Sequence, residues 1–270
     1  MRSLFFTFIL FMLFKNCSAQ QSGPAGLSIK PVRLFYTLLN SESSVQTISI
    51  VNNTTSTKQF KLYMQDWDRD SLGAHNYLKA GDYPHSCAKW VIIDKDFLEV
   101  KPGETQEVLV KMKMPDSLEA ISEMKWTMLF IQDVEEKITP SKEKGVYAAV
   151  QNITRIGVHI VQTPPSLKEK DLKMINFIKK EGVKNCYRII CQNIGKVQFD
   201  CKTYLELSSV LTGEKTTVKK DLFPLFPNQV RYIDFVLPEN LIPGKYTIVA
   251  VADGGDDIPL QISEANINVE

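Results

Sequence analysis

The chain reads as all-β, with two immunoglobulin-like β-sandwiches in tandem. Three observations predict this. Apolar and polar residues alternate in short runs, the period-two signature of half-buried strands. Turn residues interrupt the runs at sandwich spacing, for about seven strands in each half. No long stretch carries a helical period, and 270 residues suit one or two domains.

The first nineteen residues read as a secretory leader. Leu4 to Phe14 is an apolar run too short to span a bilayer as a helix. Cys17-Ser18-Ala19 offers small residues for cleavage, so the mature chain is expected to start near Gln20. Lys15 and Asn16 are poor residues ahead of a lipidated cysteine, which disfavours a lipoprotein. No later segment is apolar enough to cross a membrane. The expected location is the periplasm or cell surface.

Residues 20–163 form the expected first sandwich. Leu27 to Tyr36 opens it with loose alternation. Ile48 and Ile50 alternate with polar neighbours and then meet the turn residues Asn52 and Asn53. Phe60, Leu62 and Met64 alternate with Lys61, Tyr63 and Gln65. Asp68 to Asp82 reads as a polar loop. Trp90 to Ile93 and Phe97 to Val100 are short strands, and Lys101-Pro102-Gly103-Glu104 is a turn. Val108, Val110, Met112 and Met114 share one face of the next strand, which Pro115 ends. Lys125 to Val134 and Val146 to Val161 complete the domain.

Pro164-Pro165 is the predicted boundary, closing a strand and stiffening the connection. Residues 164–270 form the second sandwich. Its strands run through Met174–Lys180, Cys186–Gln192, Phe199–Leu207, Val230–Leu237, Lys245–Ala252 and Ile258–Val269. Asn193-Ile194-Gly195, Thr212-Gly213-Glu214 and Pro243-Gly244 supply turns between them.

Composition narrows the function. Hydrophobic residues make up 44% and charged residues 23%, which argues against long disorder. The net charge is +1, from 32 basic and 31 acidic residues, so nothing suggests a grip on nucleic acid. Three histidines are few for a hydrolase, and none has metal-ligand spacing. There is no G-x-S-x-G elbow, P-loop or dinucleotide fingerprint. Asp66, Asp68 and Asp70 open a D-x-D-x-D pattern. Ser71 and Tyr77 then stand where a calcium loop needs Gly and a bidentate Glu. Trp67, Trp90 and Trp126 fall in or beside apolar strands and read as core rather than as a carbohydrate platform. No catalytic residue, cofactor or metal site is expected.

Cys87, Cys186, Cys191 and Cys201 remain after cleavage. Cys186 and Cys191 share a strand at an odd separation, so they face opposite sides and cannot pair with each other. Cys201 could pair with either if its strand is adjacent. Cys87 stands alone in the first half.

Several pieces resemble the first domain of PapD-type periplasmic pilus chaperones, in order, across most of residues 27–163. They are Val32-Arg33-Leu34-Phe35-Tyr36, then Ile48 to Asn53, then Phe60 to Trp67 ending in Gln65-Asp66-Trp67, then Pro102-Gly103-Glu104 and Met114-Pro115-Asp116. The resemblance implies a non-enzymatic chaperone or scaffold that binds a secreted or fimbrial protein subunit by strand addition. It would work with outer-membrane assembly machinery. It also implies that the last strand of the first domain supplies alternating apolar side chains. Val146, Ala148 and Val150 alternate there, as do Ile156, Val158 and Ile160. The same alternation is what a strand filling this protein's own core would show. The family clamps the subunit's terminal carboxylate with two basic residues. Arg33 matches the first, and Arg155 is the nearest basic candidate for the second. For Arg33 the competing reading is an edge-strand charge that deters aggregation.

The Asp68–Lys89 insertion departs from that family. Arg155 to Ile160, with the second half's turns at Asn193-Ile194-Gly195 and Pro243-Gly244-Lys245-Tyr246, also resembles the two-domain WxL-interacting surface proteins. That likeness implies a cell-envelope protein binding surface polymers or another surface protein. Both resemblances imply tandem sandwiches.

Overall fold

A computed structural model describes residues 26–134, 137–143, 146–152, 154–220 and 222–269. The proposed leader lies outside these residues. The side chains of Val146, Ala148 and Val150 are likewise outside the description.

Among the described residues twenty strands follow one another. The first half holds β1 (Leu27–Lys30), β2 (Arg33–Tyr36), β3 (Ser43–Asn52), β4 (Lys58–Arg69) and β5 (His75–Lys79). It continues with β6 (Val91–Ile93), β7 (Phe97–Val100), β8 (Thr105–Lys113), β9 (Lys125–Asp133), β10 (Lys137–Glu143), β11 (Val146–Asn152) and β12 (Arg155–Gln162). The second half holds β13 (Leu172–Lys179), β14 (Cys186–Asn193), β15 (Phe199–Ser209) and β16 (Lys215–Lys219). It ends with β17 (Phe223–Leu225), β18 (Val230–Val236), β19 (Gly244–Asp253) and β20 (Gln261–Val269). Among the described residues no helix is long and apolar enough to cross a membrane.

The first sandwich packs the sheet β1-β3-β8-β6 on the sheet β2-β12-β9-β4-β5, with β7 also on β4. The chain changes sheets at Pro31, between β1 and β2. Proline has no N–H to give a ladder and suits such a crossing. Core residues alternate as expected. Ile48 and Ile50 from β3, Phe60 and Leu62 from β4, and Val108, Val110 and Met112 from β8 all point inward. Leu109, between two of them, points out.

The second sandwich packs β13-β14-β18 on β16-β15-β19-β20, with β17 on β15. Ile189, Leu205, Leu207, Phe235, Ile248 and Ala250 fill its core. Both sandwiches close a turn with the same device, a buried asparagine. The Asn52 amide donates to the Ser56 and Val100 carbonyls, each at 2.8 Å, and its oxygen accepts from Thr54 N–H. The Asn193 amide donates to Val197 and Leu225 carbonyls at 2.9 Å, and its oxygen accepts from Gly195 N–H. An unsatisfied buried amide is costly, so each asparagine fixes the turn it serves.

One expectation changes. Asp68–Asp82 is not a polar loop. β4 runs on to Arg69 and pairs with β5, from Gln65↔Lys79 to Arg69↔His75. β9 does not alternate in burial, for Lys125 through Ile131 are all buried. Its inward face serves the first core, and its outward face meets the second sandwich. A strand covered on both faces loses the period-two signal.

Candidate functional site: a cationic cleft beside an open strand edge

The outward face of β9 and β4 builds a third apolar cluster. Trp67, Trp126, Met128, Phe130 and Val161 from the first half meet Val197 and Phe226 from the second. Trp67 packs edge-on to Phe226 with centroids 4.9 Å apart, and the Trp126 indole N–H donates to the Trp67 carbonyl at 3.0 Å. Trp67 and Trp126 are core, as expected, but their core is the junction between the halves, whereas the partly buried Trp90 packs against the first core. The tip of the β4–β5 hairpin adds a hydrogen bond from Tyr232 N–H to the Ser71 carbonyl at 2.7 Å.

A cleft of about 210 Å³ opens at one side of this junction. Its walls carry Arg33 and Phe35 from β2, Arg69 from β4, His159 and Val161 from β12, and Phe199, Asp200 and Phe226 from the second half. Sites for drug-sized ligands measure about 300–1,000 Å³. This cleft suits a chain end or a single side chain.

Three strands bring its basic side chains together. Arg33 and His159 are partners in the parallel β2–β12 register. Arg69 ends the register of β4 with β5 and donates from Nε to His75 Nε2 at 3.3 Å. Among the described residues no ion pair joins Arg33, Arg69 or Arg231 to a carboxylate. Burial, then the charges of Arg231 and Arg33, pushes the Arg69 pKa down. Burial, then His75, Arg69 and Arg33, holds His159 down at about 4. His75 is lowered by burial and by Arg69 and Arg231. At neutral pH the histidines are therefore uncharged, and Arg33 and Arg69 supply the positive charge. Such a site favours an anion that arrives with its own charge.

The cleft lies at the end of an open strand edge. β12 pairs with β9 over Arg155–Gln162 but with β2 only over His159–Gln162. His159 N–H donates to the Val32 carbonyl on the β2 side at 3.0 Å. By the two-residue period, the main-chain groups of Gly157 and Arg155 face the same side. No strand takes them there among the described residues, and β11 pairs only with β10.

Of the residues predicted to bind a partner, only Arg33 lines the cleft. Val158 and Ile160 are 0% exposed and belong to the first core. Ile156 packs against that core. At Val158 and Ile160 the alternation places the side chains in the protein's own sandwich, whereas Ile156 is only partly buried. Arg155 is exposed and spread over Phe130 and Tyr77, 4.4 and 4.7 Å from the ring centroids. It sits four residues before His159, about 13 Å along a strand. The second cation of the cleft is Arg69. Sequence reading missed it because it lies in the apparent loop. The available signal was His159, which alternates with Val158 and Ile160 and so must face away from the core.

The acidic run has another use. Asp66 is fully buried and accepts from Gly81 N–H at 2.6 Å, Tyr83 N–H at 3.2 Å, Ser86 Oγ at 2.7 Å and Thr127 Oγ1 at 3.0 Å. That carboxylate pins the insertion to the sheet.

No protein-family model and no curated protein matches the chain. Solved structures give low-identity likenesses. The YadV chaperone is 11% identical, with 90% of this chain and 99% of that one covered and a TM-score of 0.47. The class 5 fimbriae chaperone CfaA is 14% identical, with 88% and 98% covered and a TM-score of 0.44. A CsuC–CsuE chaperone–tip adhesion subunit complex from Acinetobacter baumannii gives 11% identity, 77% and 90% coverage and a TM-score of 0.45.

Proposed function

We propose that this chain is a non-enzymatic chaperone or scaffold for an exported fimbrial or surface protein. The partner adds a strand along the open edge of β11 and β12, and Arg33 with Arg69 holds its terminal carboxylate. The juxtaposition of edge and cleft carries the reading. β2 runs parallel to β12 and starts where the open edge ends. A partner strand parallel to β12 on that edge abuts the start of β2, and its C-terminus arrives at Arg33. Main-chain hydrogen bonds supply the pairing, and two arginines without carboxylate partners among the described residues supply the anchor. The apolar leader fits a role outside the cytosol. Burial of Trp67 and Trp126 withdraws two of the three tryptophans from any stacking platform, which disfavours the alternative, an envelope-polymer binder.

The test is co-purification of the tagged chain from the envelope fraction. A near-stoichiometric secreted subunit is expected, and it should be lost from the folded Arg33→Ala/Arg69→Ala variant. Recovery of the chain alone, or a partner that survives both substitutions, overturns the reading.

A further inference from the structure

We infer that Cys191 and Cys201 form a disulfide that ties the two sheets of the second sandwich together. The strands are not adjacent. Cys191 lies on β14 in one sheet and Cys201 on β15 in the facing one. Both are 0% exposed and belong to the same core. Both are free thiols in this structure, the Cys201 thiol donates to the Lys202 carbonyl at 3.9 Å, and each thiol shifts the pKa of the other.

The neighbours show independently that the two positions face each other. Cys191 pairs with Arg231 in its own sheet, and Cys201 pairs with Phe223 in the other. Cross-strand partners project to the same face. The Arg231 guanidinium lies over the Phe223 ring, 4.8 Å from its centroid. The aromatic–cationic contact therefore bridges the sheets at the level of the two cysteines. The other two thiols lack this arrangement. Cys186 faces the opposite side of β14, and Cys87 lies in the first half beside Asp66 and Lys125.

The neighbouring charges suit the chemistry. Contact with Cys201, and then Arg231, lowers the Cys191 pKa, whereas Cys201 is raised. The exchange balances with Cys191 attacking first. The oxidant is a disulfide such as oxidised glutathione. Cys191 thiolate attacks one glutathione sulfur and expels a glutathione thiolate, which takes up the Cys191 proton. Cys201, deprotonated, then attacks the Cys191 sulfur and expels the second glutathione, which takes up the Cys201 proton. Two protein thiols are oxidised and one disulfide is reduced to two thiols. Both sulfurs are closed off in the finished core, so the exchange belongs to folding, in a compartment that permits disulfides.

The experiment folds the full chain in a glutathione buffer and blocks free thiols with N-ethylmaleimide in denaturant. Unreduced peptides are then mapped by mass spectrometry. A Cys191–Cys201 linked peptide is expected, with Cys87 and Cys186 carrying the label. A reductant should lower the urea midpoint of the second sandwich, and a folded Cys191→Val/Cys201→Val variant should show no such response. Full labelling of Cys191 and Cys201 after oxidation, or linkage through Cys87 or Cys186, overturns the proposal. So does an unlinked wild type whose midpoint ignores reductant.

Discussion

Replacing Val158 by alanine separates the two roles that β12 could play. The residue is fully buried, pairs with Leu129 across the ladder and belongs to the first core. Removing its two methyl groups forfeits about 0.8 kcal/mol for each, and the cavity left behind adds to that. The expected loss is about 2 kcal/mol. All three tryptophans lie in the first half, so their fluorescence reports that sandwich during urea unfolding. With a slope of about 1–3 kcal/mol per molar, the midpoint should fall by about 1 M. Partner affinity should stay within about twofold at urea-free equilibrium, because the side chain faces inward and the edge offered is main chain. The Arg33→Ala variant should do the reverse, keeping the midpoint and losing the partner. If Val158→Ala abolishes binding while its unfolding midpoint is unchanged, the side chain serves the partner and the division of labour drawn above is wrong.

Two further outcomes follow from the junction. His159 has a folded pKa of about 4 against an ordinary value near 6.5, so stability is complete above about pH 6.5 and falls as pH drops toward 4. The change is worth about 3 kcal/mol at about 1.4 kcal/mol per pH unit; urea midpoints across pH 4–7 should show it, and His159→Gln should flatten that limb. Asp66→Ala leaves four donors without their acceptor, and orphaned buried groups cost about 1–3 kcal/mol each unless water reaches them. A loss of about 3–4 kcal/mol is expected, with new protease cleavage between Ala80 and Cys87; unchanged resistance would show that Asp66 does not hold the insertion.

The sandwiches were legible because period-two alternation and turn chemistry are local. Ile48, Ile50, Val108, Val110 and Met112 declared their face without any neighbour being known. The asparagines at Asn52 and Asn193 were visible only as turn residues, since their acceptors lie up to 48 residues away in sequence. Alternation was ambiguous at Val158 and Ile160, where one pattern serves either a partner's groove or the chain's own core, and the structure buries both side chains in that core. It was silent along β9, which is covered on both faces. The cleft was legible in one residue, Arg33. Arg69 and His75 looked like loop polarity, because a hairpin arm exposed along most of its length has no apolar stripe to announce it. Tertiary pairing alone sets Arg69 beside Arg33 and His159.

In the proposed function, Arg33 and Arg69 hold a chain-terminal carboxylate at the end of an open edge. The most direct measurement is a calorimetric titration of the folded chain with one alternating apolar peptide, made with a free C-terminus and again as the C-terminal amide. Charged hydrogen bonds are worth about 1.5–3 kcal/mol, and about 1.4 kcal/mol is tenfold in affinity. The free acid should therefore bind at least about tenfold more tightly than the amide, and Arg33→Ala/Arg69→Ala should bring the two together. Equal affinities for acid and amide in the unaltered chain would contradict the account.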